Sequence, residues 1–137
     1  MAMPTYATEG SAAVDLRAAI EENEPLTLAP GARALIPTGV AIAPEGRDVV
    51  AVVAARSGLA VKHGICLANG IGVIDADYRG EILVGLLNTS EADFVIRRGD
   101  RIAQMMFLPV AHAAFLQTDT LDETTRGAGG FGSTGVK

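Results

Sequence analysis

Glu81-Ile-Leu-Val-Gly-Leu-Leu-Asn-Thr-Ser-Glu-Ala-Asp-Phe-Val-Ile-Arg-Arg-Gly-Asp-Arg-Ile-Ala-Gln-Met-Met-Phe-Leu-Pro109 is the stretch whose reading decides the fold. Three short apolar runs, Glu81–Asn88, Phe94–Ile96 and Arg101–Pro109, alternate with the turn formers Asn88-Thr-Ser90 and Arg98-Gly-Asp100. Asp93-Phe-Val-Ile-Arg97 followed by Arg98-Gly-Asp-Arg101 reads as a hairpin corner. Upstream the same rhythm continues through Ala32–Ile36 and Val49–Val53, with Pro30-Gly31, Pro44-Glu-Gly46 and Arg79-Gly80 as breaks. Many short strands punctuated this often predict a sandwich or barrel rather than βαβ units. One helical turn or two is expected, around Ser57–Lys62. Val49–Ala55 and Ile82–Leu87 are apolar on both faces. In an antiparallel protein this predicts that another subunit covers the second face.

Composition bounds the rest. A chain of 137 residues is one domain with room for its own core. Apolar residues make up 49% but aromatics only 4%, and Trp is absent, so the core must be built from Ala, Val, Leu and Ile. The net charge of −5 argues against a nucleic-acid surface, which requires a basic stripe. A polyphosphate ligand would have to be met by a few placed arginines and a divalent cation. Runs such as Ala51–Ala55 are far too short to span a bilayer. The first ten residues lack the basic start and apolar segment of a signal peptide. Cys66 stands alone, which excludes an internal disulfide and fits a reducing cytoplasm. Asn88-Thr-Ser90 matches a glycosylation acceptor, a match without meaning in a chain with no secretion signal. His63 and His112 are expected at the surface and Cys66 in the core, so a zinc site has no support.

The polar run from about residue 118 leads into Arg126-Gly-Ala-Gly-Gly-Phe-Gly-Ser-Thr-Gly-Val-Lys137. Glycine forfeits backbone entropy and offers nothing to pack, so this tail cannot build a core. It can wrap a ligand: its amides can approach phosphate oxygens, and Arg126, Ser133 and Thr134 add charge and donors. Phe131 has no apolar neighbour and is free to stack on a flat ring. Gly127, Gly129 and Gly132 satisfy G-x-G-x-x-G, yet no helix can follow so close to the chain end, which excludes a dinucleotide fingerprint. Gly135-Val-Lys137 likewise fails the pattern of a Walker loop.

Four internal segments accompany this tail: Ala12–Ala18, Arg56–Ala60, Gly72–Gly80 and Gly99–Met105. With Arg126–Gly135 they resemble, in order, the five motifs of the trimeric deoxyuridine triphosphatase (dUTPase) family, and the resemblance spans almost the whole chain. Two departures are visible: Ala13 stands where the family usually has Gly, and Ala55 replaces the usual Pro before Arg56. The resemblance implies an all-β, jelly-roll-like distorted β-barrel of the β-clip type. It implies residues 1–118 as the catalytic barrel and 119–137 as a flexible arm closing over the nucleotide. It also implies a homotrimer with three shared sites and Mg²⁺-assisted hydrolysis of dUTP to dUMP and pyrophosphate.

Hydrolysis at a phosphoryl centre needs an oriented water, a carboxylate to take its proton, and cations to absorb charge. The family's catalytic aspartate falls on Asp75. Asp77 competes for the role, because strand alternation would turn both carboxylates to one side. Tyr78, by itself a packing aromatic, is placed by the resemblance beneath the sugar, where it would disfavour a 2′-hydroxyl. The Asn69 amide suits a uracil edge, although Asn69-Gly70 is equally a tight turn. Backbone groups of Val73 and Ile74 would read the base too. Arg56, Ser57 and Gly58 open the single helix, an anion-binding start or a plain Ser57 cap. Gln104, in an otherwise apolar strand, is an outward surface residue or, by the resemblance, a phosphate ligand. Asp15 would reach Mg²⁺ through water, and Arg126, Phe131, Gly132, Ser133 and Thr134 would close on the nucleotide. Three other readings stay open: a deaminase-hydrolase acting on dCTP, a nucleotide-sensing module that does not turn over substrate, and a purely structural trimer.

Overall fold

The computed structural model describes residues 2–131 together with Ser133 and Gly135. Nine strands and one short helix follow one another among them: β1 Val14–Arg17, β2 Leu26–Leu28, β3 Arg33–Pro37, β4 Val49–Ala54, α1 Ser57–His63, β5 Ile65–Leu67, β6 Gly72–Ile74, β7 Leu83–Asn88, β8 Phe94–Ile96 and β9 Arg101–Pro109. They pair, always antiparallel, into a four-stranded sheet β1-β9-β4-β6, a three-stranded sheet β3-β7-β5 and a two-stranded sheet β2-β8. The architecture is the jelly-roll-like all-β fold expected from the sequence, with sheets converging on one core. No helix among the described residues is long and apolar enough to cross a membrane.

Sequence alternation explains which side of each strand is buried. Val14 and Leu16 of β1, Ala51 and Val53 of β4, Val84 and Leu86 of β7, and Met105 of β9 point into a continuous apolar cluster. Among the described residues no buried one is aromatic, so aliphatic side chains carry the core. Replacing any of the fully buried ones, such as Leu16, by Ala costs about 2–5 kcal/mol.

Two buried polar residues fasten the sheets together. The Asn88 amide nitrogen donates to the carbonyls of Leu28 and Ala92, at 2.8 Å each. Its carbonyl oxygen accepts from the Ser90 amide at 2.9 Å and the Ser90 hydroxyl at 2.8 Å. Asn88, the first residue of the glycosylation-like triplet, is thus a buried crosslink between β7 and β2. Thr38, also buried, donates to the Ile82 carbonyl at 2.6 Å.

The corner before β9 differs from the hairpin expected. Asp100 N–H donates to the Arg97 carbonyl at 3.1 Å, and Arg97 N–H donates to the Asp100 carboxylate at 2.8 Å, closing the turn. The flanking strands nevertheless part: β8 pairs with β2 and β9 with β1 and β4. The turn carries the chain from one sheet to another, which is how a sandwich covers its own ends.

On the outer face of the four-stranded sheet, directly opposed pairs set Val52 against Met106 and Val73, and Val50 against Leu108. This is the second apolar face foreseen in β4. Residues 113–121 continue from β9 without regular structure and leave Phe115 (96% exposed) and Leu116 (89%) in the open.

Candidate functional site

Two groups of the expected residues come together, on different strands of the four-stranded sheet. The first gathers where β1, β9 and the start of α1 meet. Asp15 lies opposite Gln104 in the β1–β9 ladder, and Gln104 lies opposite Ala54 of β4. β4 ends there, and Arg56 follows as the residue flanking the helix. The Arg56 Nε sits 2.9 Å from Asp15 Oδ1, and the Arg101 Nη1 sits 3.2 Å from Asp15 Oδ2. The Arg56 Nη1 also donates to the Arg101 carbonyl at 3.2 Å. Gln104 donates its Nε2 to the Ala55 carbonyl at 3.0 Å, so it is half-buried and anchored rather than a free surface amide.

Asp15 is therefore no lone carboxylate, since each oxygen meets a guanidinium. Among the described residues no cluster of three His, Cys, Asp or Glu could hold an ion. Asp15 borders two open cavities of about 280 and 380 Å³. Mg²⁺ entering with most of its waters on a triphosphate fits this arrangement, because one solvent-reachable carboxylate is enough to meet it. A bare ion does not.

The helix start also departs from one expectation. Arg56 is the flanking, extended residue (φ −83°, ψ 129°), Ser57 is the first helical one, and no side chain caps the end. Ser57 is thus not the N-cap. The other end is closed by Gly64 in the left-handed region (φ 68°), its N–H donating to the Ala60 carbonyl at 3.1 Å.

The second group lies around β6. Val73 points outward, 59% exposed, and borders a cavity of about 280 Å³ with Ile74, Asp75, Tyr78, Glu81 and Leu83. A smaller recess of about 110 Å³ on the same strand adds Asn69 and Gly72. Asn69 and Gly70 do form the turn: Gly70 has φ 74° and its N–H donates to the Leu67 carbonyl at 3.2 Å. The Asn69 side chain is exposed beside it.

Beyond Ile74 the strand stops. Tyr78 N–H donates to the Asp75 carbonyl at 3.1 Å, making Asp75–Tyr78 a turn. Alternation therefore does not pair Asp75 with Asp77, and the two separate: Asp75 lines the Tyr78 cavity and Asp77 does not. Asp77 faces only a larger opening of about 800 Å³, shared with Asp75, Arg79 and His112. Tyr78 is fixed by its hydroxyl donating to the Glu81 carbonyl at 3.1 Å. Its ring lies so close to Gly80 that a Cβ there would sit 2.6 Å from the Tyr78 Cζ. Arg79 closes the turn, its Nη1 donating to the Ala76 carbonyl at 2.7 Å.

None of these cavities is lined by residues of both groups. The described residues of the arm line none of these cavities. Arg126 donates to the Gly129 carbonyl at 2.9 Å, and Phe131 is fully exposed with φ 49°. Ser133 N–H donates to the Gly130 carbonyl at 3.1 Å. Gly132 and Thr134 lie outside the described residues. His63 and His112 are exposed and Cys66 is half-buried on β5 rather than fully in the core. Two residues that fall inside the quoted motifs but were assigned no role there belong to the sites: Arg101, paired to Asp15, and Gly80, on which Tyr78 rests.

The antiparallel sheets, the recessed strand end with its aromatic and carboxylate, and the separate arginine-rich edge define an all-β protein with two polar sites on one sheet. A family model described as dUTPase matches residues 1–135, and the chain belongs to the dUTPase family. It is 57% identical over 138 residues to the deoxyuridine 5'-triphosphate nucleotidohydrolase of Maricaulis maris, covering 100% of this chain and 90% of that protein. The enzyme of that name from Desulfitobacterium hafniense is 58% identical over 134 residues, covering 98% and 87%. Among solved structures, Staphylococcus bacteriophage 80alpha dUTPase with dUPNHPP superposes with a TM-score of 0.85 at 27% identity, over 98% of this chain and 92% of that one.

Proposed function

We propose that this protein hydrolyses dUTP to dUMP and pyrophosphate in a homotrimer whose sites are shared between subunits. The observation that carries the reading is the cavity where Val73, Ile74, Asp75 and Tyr78 meet, in a chain 57% identical to a dUTP nucleotidohydrolase. Uracil seats against the outward edge of β6, read by backbone groups of Val73 and Ile74 and by the Asn69 amide. Tyr78 lies beneath the deoxyribose. Asp75 takes the proton of a water that attacks the α-phosphorus, pyrophosphate leaves, and dUMP remains. Arg56, Ser57, Gly58 and Gln104 bind the phosphates. Mg²⁺, reached by Asp15 through water, supplies neutralisation of phosphate charge when bound.

Separation of the two groups within one protomer supports a shared site, as do the apolar outer face of the four-stranded sheet and the uncovered Phe115 and Leu116. In this reading residues 1–118 form the catalytic body. Residues 119–137 form an arm that lays Phe131 over uracil and brings Arg126, Gly132, Ser133 and Thr134 to the β- and γ-phosphates of a neighbouring site. The reaction supplies dUMP for thymidylate synthesis and, by removing dUTP, keeps uracil out of DNA, in the cytoplasm and without nucleic-acid or membrane partners. The deciding experiment measures pyrophosphate released from dUTP, dCTP, dTTP and UTP with Mg²⁺. Selective turnover of dUTP is expected, and equal turnover of UTP would remove the role given to Tyr78.

A further inference from the structure

We propose that Arg101 is a second guanidinium of the triphosphate subsite, parked on Asp15 when no nucleotide is bound and transferred to the terminal phosphates when one arrives. The inference rests on the reading of the Asp15–Arg56–Gln104 edge as that subsite.

Strand spacing alone would turn Arg101 away. Residues three apart on a regular strand face opposite sides, so Gln104 facing outward implies Arg101 facing in. The β1–β9 ladder breaks this rule. Leu16 opposes Ala103 but Arg17 opposes Arg101, so one residue of β9 is passed over. Ile102 and Ala103 are both buried, and the alternation resumes out of step. A bulge of this kind re-aims a side chain, and here it sets Arg101 on the outward face that carries Asp15 and Gln104.

Charge and mobility then separate the two arginines. One carboxylate faces two guanidinia, which leaves the cluster with net positive charge. Arg56 is held twice, through Nε on Asp15 at 2.9 Å and Nη1 on the Arg101 carbonyl at 3.2 Å. Among the described residues the Arg101 side chain has one polar partner, at 3.2 Å, and is 50% exposed. An exposed ion pair of that kind contributes little to stability. A triphosphate offers more charge and a geometry that suits the planar fork in two-point contact. Arg101 can therefore exchange its partner at small cost, while Arg56 stays seated. Arg101 borders one open cavity with Asp15 and Arg17, and Asp15 also borders a second, which Gln104 lines, so open space lies on both sides of the carboxylate that Arg101 would leave.

The test compares ligands with and without the terminal phosphates. Using the full assembled protein in EDTA, calorimetry measures affinity for dUPNHPP and for dUMP. Arg101→Ala is expected to weaken dUPNHPP binding about tenfold or more, the loss of one charge-assisted contact, and to leave dUMP binding unchanged. Arg101→Lys, which keeps the charge without the fork, should recover part of the loss. Unaltered dUPNHPP affinity in Arg101→Ala, or an equal loss for both ligands, overturns the proposal. If Arg101→Ala does not assemble, Arg101→Lys decides alone, and wild-type dUPNHPP affinity in it overturns the proposal. A wild-type protein that does not turn over dUTP defeats the underlying functional reading instead. Turnover in the wild type with no phosphate-specific defect at Arg101 defeats only this inference.

Discussion

Removing residues 126–137 should abolish most turnover while leaving the fold untouched, and the two effects differ in size. Among the described residues, every hydrogen bond made from Thr118 onward stays within the arm: Thr118 to Thr120, Thr124 to Gly127, Arg126 to Gly129, and Gly130 to Ser133. None ties the arm to a sheet, so truncation after Thr125 should move unfolding free energy by no more than about 0.5 kcal/mol. The functional loss is larger. A charge-assisted contact from Arg126 is worth about 1.5–3 kcal/mol, and stacking of Phe131 on a base about 1–3 kcal/mol. Together these predict a fall in kcat/KM of roughly 10²–10⁴. Phe131→Ala alone should lose the stack and keep the clamp, a fall of about 10- to 100-fold. The assay is pyrophosphate release beside thermal unfolding and light scattering on the full and truncated chains. A truncated trimer with near-normal kcat/KM would refute the argument and leave the glycine-rich end as solvated chain.

Asp75→Asn should reduce kcat by about 10²–10⁴ and leave nucleotide affinity within about an order of magnitude, since the isostere keeps the shape and loses the proton acceptor. Asp77→Asn is the control, and loss of turnover there with an active Asp75→Asn would transfer the role. Gly80→Ala should displace the Tyr78 ring, because the added Cβ meets its Cζ at 2.6 Å; the ratio of kcat/KM for dUTP over UTP is expected to fall while unfolding is little changed. Asn88→Ala leaves the Leu28 and Ala92 carbonyls and the Ser90 amide without their partner. It should cost about 2–4 kcal/mol in denaturant unfolding with activity intact below the transition.

The strands legible in the sequence are apolar runs set off by turn formers, and most of them are long. Phe94–Ile96 and Arg101–Pro109 match the structure residue for residue, and the helix runs one residue past its expected end, to His63. The four strands not foreseen, β1, β2, β5 and β6, are three or four residues long. Val14-Asp-Leu-Arg17 does alternate, but four residues of alternation occur in many loops. Its pairing with β9 makes it a strand. Pairing partners were likewise hidden at the corner before β9, where local turn chemistry is the same whether a chain folds back on itself or crosses to another sheet. Local sequence reports the turn. Distant sequence decides what the strands pair with.

The same limit governs the site. Val73, Ile74, Asp75 and Tyr78 lie within six residues, so a strand ending in a turn brings them to one cavity. Arg101 is the opposite case. Its orientation depends on a register slip between Leu16 and Arg17 on a strand more than eighty residues away, so no window around Arg101 contains the cause. Asp15 is intermediate: its face follows from the burial of Val14 and Leu16, but both of its cationic partners come from other elements. A carboxylate read as lone from its neighbours in sequence is, in the folded chain, a carboxylate shared between two arginines. That sharing matters to the chemistry proposed. In that reading one small anion holds two mutually repelling guanidinia together at the edge where the triphosphate would arrive, and the incoming charge would have only to displace the more weakly held of them.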